Sequence, residues 1–168
     1  MKLIKVIRDS DVRGGFPDRP VEQERAASRA IVFDGEKKVA LLHATKKHYH
    51  KLPGGGIEKG ETIEAALDRE LFEEIGCAVK NVRELGQIEE YRNQWALHQV
   101  SYCFLADLNG EKGAPHLEKD EIEDGFEPVW LSLGDAIKIL ETETDIADYE
   151  GRFIQMRDLA FLKAATQI

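Results

Sequence analysis

Three glutamates, Glu70, Glu73 and Glu74, are crowded together directly after a glycine-rich stretch of the sequence. Like charges at this spacing repel each other, so something must neutralise them. Either the carboxyls are partly protonated or a cation lies among them. Oxygen ligands of this kind suit Mg²⁺ or Mn²⁺, which keep several waters and share their remaining positions with phosphate oxygens. The cluster therefore favours a divalent-metal site that binds phosphate.

The glutamates fall on a predicted helix at residues 63–75, for which Thr62 is a suitable N-cap and Gly76 a stop. At about 100° per residue, one apolar stripe runs along this helix, formed by Ile63, Leu67, Leu71 and Ile75. Glu70 and Glu73 lie beside the stripe and Glu74 falls within it. Because a carboxylate loses solvation in apolar packing, this is not expected to be an ordinary charged surface.

Glycines at positions 54, 55, 56 and 60 precede the helix and predict irregular backbone until about Glu61. A glycine loop brings backbone groups close to an ion or a phosphate, so loop and helix are expected to form one site. A metal among the glutamates would reverse the local field and activate a water for attack on phosphorus. An acidic protein could then bind a polyphosphate.

A longer pattern contains these residues, and it reads Gly55, five residues, Glu61, seven residues, Arg69, Glu70, Leu71, any residue, Glu73, Glu74, any residue, Gly76, Cys77. This segment resembles the signature of the Nudix hydrolases at every fixed position. Fixed polar and glycine positions at fixed separations are rarely met by chance. The resemblance implies an α/β/α sandwich with a central mixed β-sheet, and hydrolysis of a nucleoside diphosphate linked to another group X.

The resemblance also implies roles for individual residues. Glu70, Glu73 and Glu74 would hold Mg²⁺, for which Mn²⁺ can substitute, and the carbonyl of Gly54 would join them. Glu61 and Arg69 would brace the loop against the helix, a pairing that fits the fork geometry of guanidinium.

The group that takes the proton from water has two candidates in this family, a helix glutamate or an acid from a distal loop. Glu74 is the preferred helix residue. The polar stretch at residues 109–125 reads as a long loop. The acids in and just after it are all open as the loop base, with Glu121 and Glu123 taken as its candidates: Glu118, Asp120, Glu121, Glu123, Asp124 and Glu127.

One basic segment, TKKHYHK at residues 45–51, precedes the glycines. Lys47, His50 and Lys51 either contact substrate phosphate or belong to a solvated loop, and the sequence does not separate the two. Tyr49, Tyr91 and Trp95 either stack on a base or pack in the protein.

The elements that must position these residues follow from the apolar patterning. Runs at residues 30–33 and 39–44 predict a hairpin with a polar turn, and further strands are expected at residues 79–90, 96–108 and 126–133. Helical patterns follow at residues 132–141 and 145–166. Strands interleaved with helices in this way are expected to build one α/β domain over residues 1–168. Residues 1–25 form either an added strand or an arm over a partner subunit.

Charge and composition limit the partners. Acidic residues outnumber basic ones 32 to 23, and the net charge of −9 argues against binding to a DNA duplex or to an anionic membrane. Two unclustered cysteines and the lack of a signal-like start predict a cytoplasmic protein. A homodimer is common among proteins of the resembled kind.

For the substrate we favour a nucleoside triphosphate, cleaved in the manner of MutT. The alternatives are ADP-ribose or a nucleotide sugar, a dinucleoside polyphosphate, an RNA 5′-pyrophosphate, or a module that senses a nucleotide without cleaving it.

Overall fold

Eight strands and four helices build the protein in a computed structural model that describes residues 1–168. They follow in chain order as β1 (Leu3–Arg8), β2 (Gln23–Phe33), β3 (Lys38–Ala44), β4 (Tyr49–Lys51), β5 (Gly54–Gly56), α1 (Ile63–Ile75), β6 (Ala78–Arg92), β7 (Leu97–Asn109), α2 (Lys119–Asp124), β8 (Phe126–Ser132), α3 (Leu133–Thr142) and α4 (Tyr149–Ala165).

The strands form a mixed sheet. β1 runs parallel to β6, β6 antiparallel to β7, and β7 parallel to β2. β5 then pairs antiparallel with the middle of β2. β3 meets β2 only where Phe33 pairs with Val39, and it continues between its antiparallel partners β4 and β8. The predicted hairpin strands are therefore present, but they diverge after one pair.

Two apolar layers cover this sheet because its central strands are apolar on both faces. In β2, Ile31 belongs to the core under α3 and α4, whereas its neighbours Ala30 and Val32 belong to the core under α1. In β7, Cys103 and Phe104 divide between the two layers in the same way. Successive side chains of a strand point to opposite faces, so one sequence feeds both cores. The predicted α/β/α sandwich with a mixed sheet is confirmed.

Helix α1 begins and ends where its capping residues predict. The Thr62 hydroxyl accepts a hydrogen bond from the backbone N–H of Ala65 at 3.1 Å, and Gly76 ends the helix in the left-handed conformation with φ +63°. The helix buries Leu67, Leu71 and Glu74 among other residues. The inclusion of Glu74 in the buried stripe is thus confirmed.

Three segments differ from the sequence prediction. Gly54–Gly56 is a short strand rather than irregular backbone, because its peptide groups pair with residues 27–29 of β2. The end of the basic segment is also a strand, β4, whose pairing with β3 makes all three of its residues buried. The long loop contains helix α2, which is ended by Gly125 in the left-handed conformation.

None of the four helices is both long enough and apolar enough to cross a membrane.

Candidate active site

Arg69 ties the glycine segment to helix α1. Its guanidinium donates two parallel hydrogen bonds to the Glu61 carboxylate, each 3.0 Å long, and a third of 3.0 Å to the carbonyl of Gly56. Its remaining terminal nitrogen, Nη1, donates to Glu70 at 2.7 Å and to Glu73 at 3.2 Å. The contact with Arg69 lowers the pKa of Glu61 below its ordinary value. The brace expected between Glu61 and Arg69 is present, and the single charge of Arg69 is shared with two of the three crowded glutamates.

Glu74 is neutralised in a different way. Its carboxylate is 1% exposed, and one oxygen accepts a hydrogen bond from Lys51 Nζ at 2.6 Å. The other oxygen accepts from the backbone N–H of Gly54. Burial raises the pKa of Glu74 to about 7, although Lys51 and the Gly54 N–H act in the opposite direction. Burial thus disfavours the charged carboxylate, whereas the two hydrogen bonds that it accepts favour it.

The glycines are required by close approaches within the site. A Cβ on Gly55 would lie 2.4 Å from both carboxylate oxygens of Glu70. A Cβ on Gly54 would lie 2.2 Å from the carbonyl oxygen of Ser28, and the φ of Gly54 is +129°. The carbonyl of Gly54 accepts a 2.7 Å hydrogen bond from buried Arg29, which leaves one lone pair for another partner.

Two adjoining cavities lie along the glycine segment. The first, of about 260 Å³, contains the basic side chains of this region together with acids from α2 and α4, and it is lined in part by Arg25, Arg29, Lys47, Lys51, Glu121 and Glu150. The second, of about 250 Å³, is mainly acidic and is lined in part by Arg25, Glu58, Arg69, Glu70, Glu73, Glu118 and Glu121. Arg25 and Glu121 belong to both cavities, so a ligand could extend from the acidic end to the basic end.

The acidic cavity fits a divalent cation by its donor chemistry, because its carboxylates supply only oxygen. The pKa of Glu118 is raised chiefly by Glu121, with Glu73 and Glu70 contributing, so negative charge accumulates there. No three acidic, histidine or cysteine side chains are yet arranged to hold a metal ion. Glu70 and Glu73 contact Arg69, and Glu74 contacts Lys51, so a metal ion at these carboxylates would lie beside internal cations.

The candidate residues of the basic segment face different parts of the protein. Lys47 lines the first cavity, where its Nζ lies 2.6 Å from the Asp124 carboxylate, and Lys51 lines the same cavity. His50, expected to bind substrate with them, lines neither cavity. Its ring is buried, pairs with Glu143 and stacks on His43 with ring centres 4.2 Å apart. Alternation along the strand turns His50 away from Lys51, so its proposed phosphate contact is not supported.

The two candidate loop bases also separate. Glu121 lines both cavities, and its carboxylate accepts a hydrogen bond from the Glu118 backbone N–H at 2.8 Å. Glu123, which is exposed and lies 3.7 Å from Lys119, lines neither cavity. Because the two residues lie on different sides of α2, only Glu121 faces the glutamates of α1.

Sequence reasoning missed Arg25 and Arg29, which line the first cavity from β2. A signal for Arg29 was available in the strand itself. Positions 25, 27, 29 and 31 share one face, and an arginine between Ala27 and Ile31 is buried at a cost unless it has a specific partner.

Fold and site together define a class of protein in which a glycine segment and an acidic helix meet on the edge of an α/β/α sandwich. Comparison with protein families matches residues 23–153 to the NUDIX domain. The chain belongs to the Nudix hydrolase family.

The curated relatives of this chain are named for several different hydrolase activities. The NAD-capped RNA hydrolase NudC of Haemophilus influenzae is 40% identical over 116 residues, which are 64% of this chain and 39% of that protein. The mouse diphosphoinositol polyphosphate phosphohydrolase 3-alpha is 31% identical, with 76% of this chain and 75% of that protein covered. The chain thus spans about two fifths of the length of its NudC relatives.

Solved structures share the fold at low identity. A MutT protein from Methanosarcina mazei aligns with a TM-score of 0.58 at 19% identity, covering 88% of this chain and 97% of that one. The MutT protein of Bacillus halodurans aligns with a TM-score of 0.56 at 24% identity, over 68% of this chain and 72% of that one.

Proposed function

We propose that the protein is a pyrophosphohydrolase, dependent on Mg²⁺ or Mn²⁺, that cleaves a nucleoside diphosphate linked to another group X. The observation that carries the proposal is the pair of adjoining cavities, one acidic and the other containing the basic side chains. Phosphate chains need a cation near the scissile bond and positive groups along the rest of their length. Family membership supports the same activity.

The proposed metal ligands are Glu70, Glu73 and Glu74, with the carbonyl of Gly54 as a further ligand. A divalent ion held by them would neutralise charge on the phosphate oxygens and make a water easier to deprotonate. Arg69 and Glu61 fix the distance between the glycine segment and α1. Arg25, Lys47 and Lys51 would bind phosphate oxygens in the first cavity.

Two carboxylates remain candidates for the proton acceptor. Glu74 has a pKa raised to about 7, which suits a general base, but both of its oxygens are engaged by Lys51 and Gly54. Glu121 faces both cavities, and it could accept a proton without first losing a contact with Lys51 or Gly54. We therefore propose Glu121 as the proton acceptor and Glu74 as a metal ligand, which reverses the preference drawn from the sequence.

Matched substitutions on one helix test this assignment. Glu121→Gln should lower kcat by roughly a hundredfold or more and remove the acidic limb of the pH profile. Glu123→Gln removes the same charge from the same helix outside the cavities, and it should leave kcat within about twofold. Equal losses of kcat in the two variants would mean that Glu121 acts only through its negative charge or by maintaining helix α2.

For the substrate we propose a nucleoside triphosphate, with a dinucleotide such as NAD or its RNA-capped form as the second candidate. The first cavity supports a nucleoside triphosphate, because the cations of this cavity could bind a pyrophosphate leaving group. The NudC relative supports NAD or NAD-capped RNA. Neither cavity has a strong net positive charge, since the acids Asp120, Glu121, Asp124 and Glu150 accompany the cations of the first.

A panel assay with Mg²⁺ decides among these substrates. It should include nucleoside triphosphates, ADP-ribose, NAD, a dinucleoside tetraphosphate, triphosphorylated and NAD-capped RNA, and a diphosphoinositol polyphosphate. Product analysis in ¹⁸O-labelled water identifies both X and the phosphorus attacked. Tight binding of a nucleotide without turnover of any substrate would contradict the enzyme proposal and favour a sensing module.

We further propose a cytoplasmic location and a homodimer. Cys77 and Cys103 are buried free thiols, which supports a reducing compartment. Fractionation of cells and light scattering of the purified chain test these two proposals.

A further inference from the structure

Lys51 has two sets of neighbours that belong to different parts of the proposed site. Its ammonium donates to Glu74 on α1, and its side chain also lines the first cavity with Arg25 and Lys47. The side chain is 11% exposed, and Nζ lies 4.9 Å from the centre of the Phe126 ring. An ammonium in this setting is poorly solvated and needs an anion beside it. In this structure that anion is Glu74.

A divalent cation and the Lys51 ammonium compete for the same carboxylate. Glu74 is almost fully buried and offers two oxygens, of which Oε1 is taken by Lys51 and Oε2 by the Gly54 N–H. A dication bound at Glu74 would lie close to the Lys51 ammonium, and the repulsion between the two cations would drive Lys51 away. Once displaced, the ammonium lies in a cavity where Lys47 is already paired with Asp124 and Arg29 with the carbonyl of Gly54.

We infer that Lys51 is an exchangeable internal counter-ion that couples metal binding to phosphate binding. Without metal it neutralises Glu74 and is withheld from the cavity. With metal bound it is released to bind a phosphate oxygen of the substrate. This inference rests on the proposed function, and it adds that phosphate and metal strengthen each other's binding through one lysine. By linkage, the effect must be the same in either order of addition.

Metal affinity provides the first test. Mn²⁺ binding is measured by calorimetry for the wild type, Lys51→Met and Lys47→Met, over a range of about pH 7 to 9 so that a proton on Glu74 is recognised as a competitor. Lys47→Met is the matched control, because it removes one charge from the same cavity without touching a glutamate of α1. Lys51→Met should tighten Mn²⁺ binding by roughly tenfold or more beyond the control. If Lys51→Met does not fold, Lys51→Gln removes the charge and keeps a hydrogen-bond donor.

Phosphate binding provides the second test. The affinity for inorganic phosphate is measured by ³¹P NMR with and without saturating Mg²⁺. Lys51→Met should weaken phosphate binding only when Mg²⁺ is present, because Glu74 holds the lysine in the metal-free chain. Equal weakening in both conditions, or Mn²⁺ binding no tighter than in Lys47→Met, would overturn the inference. A wild-type chain that takes up no Mn²⁺ would instead overturn the proposed function.

Discussion

Gly55→Ala should impair the reaction while leaving the fold nearly intact. The φ of Gly55 lies outside the left-handed region, so alanine is tolerated by the backbone. The three atoms nearest to the new methyl group would all belong to the Glu70 carboxylate, with each oxygen at 2.4 Å. Ordinary contact between such atoms needs roughly 3.5 Å, so the carboxylate must move by about 1 Å.

The size of the effect follows from this displacement. The Glu70 carboxylate is at the end of a flexible side chain, so its movement should lower the free energy of unfolding by only about 1 kcal/mol or less. A displacement of about 1 Å within a catalytic site costs on the order of a hundredfold in rate, which corresponds to roughly 2.7 kcal/mol in the barrier. We therefore expect kcat/KM to fall by about two orders of magnitude.

The assay compares kcat/KM with the unfolding free energy from urea titration, using the best substrate of the panel. Gly35→Ala is the neutral control, because a Cβ at Gly35 meets nothing within 4 Å. Gly54→Ala is the structural control, because its Cβ would strike the backbone of Ser28 and Arg29 and should prevent folding. Wild-type activity and Mg²⁺ affinity in Gly55→Ala would refute the assignment of Glu70 to the metal site.

The remaining predictions concern the brace, the basic cavity and acid stability. Arg69→Lys should lower the unfolding free energy by roughly 1–3 kcal/mol in urea titrations, because an ammonium cannot reproduce the parallel bonds to the loop carboxylate; an unchanged value would deny the brace. Lys47→Ala should raise KM several-fold and spare kcat, and an unchanged KM would exclude phosphate contact. Burial alone would raise the pKa of Glu90, but Arg92 and Arg157 outweigh it and lower the pKa to about 2. The lowered pKa adds on the order of 3 kcal/mol to the free energy of unfolding. This contribution is fully present when the pH is above the pKa of Glu90 in the unfolded chain, about 4.3, and it is lost as the pH falls toward 2. Glu90→Gln should abolish this acid dependence, and an unaltered pH profile of urea midpoints would contradict it.

Local sequence patterns are enough to predict the helix that carries the glutamates. Apolar spacing and the local caps at Thr62 and Gly76 define α1, because helix periodicity and capping depend on residues only a few positions apart. The same local spacing put Glu74 inside the apolar stripe. The apolar runs also predicted the central strands, whereas the layered fold was implied by the resemblance of residues 55–77 to the Nudix signature.

Which of the nearby polar side chains face the site depends on strand pairing between distant segments. Lys51 and His50 are adjacent in the basic segment, yet the pairing of β4 with β3 turns one toward Glu74 and the other toward Glu143. A strand of three residues has too little periodicity to fix its own orientation, so its neighbours fix it. Arg29 likewise reaches the Gly54 carbonyl across 25 positions of sequence, through the pairing of β2 with β5. Pairings between distant segments depend on the whole sheet, and for that reason local patterns in the sequence do not reveal them.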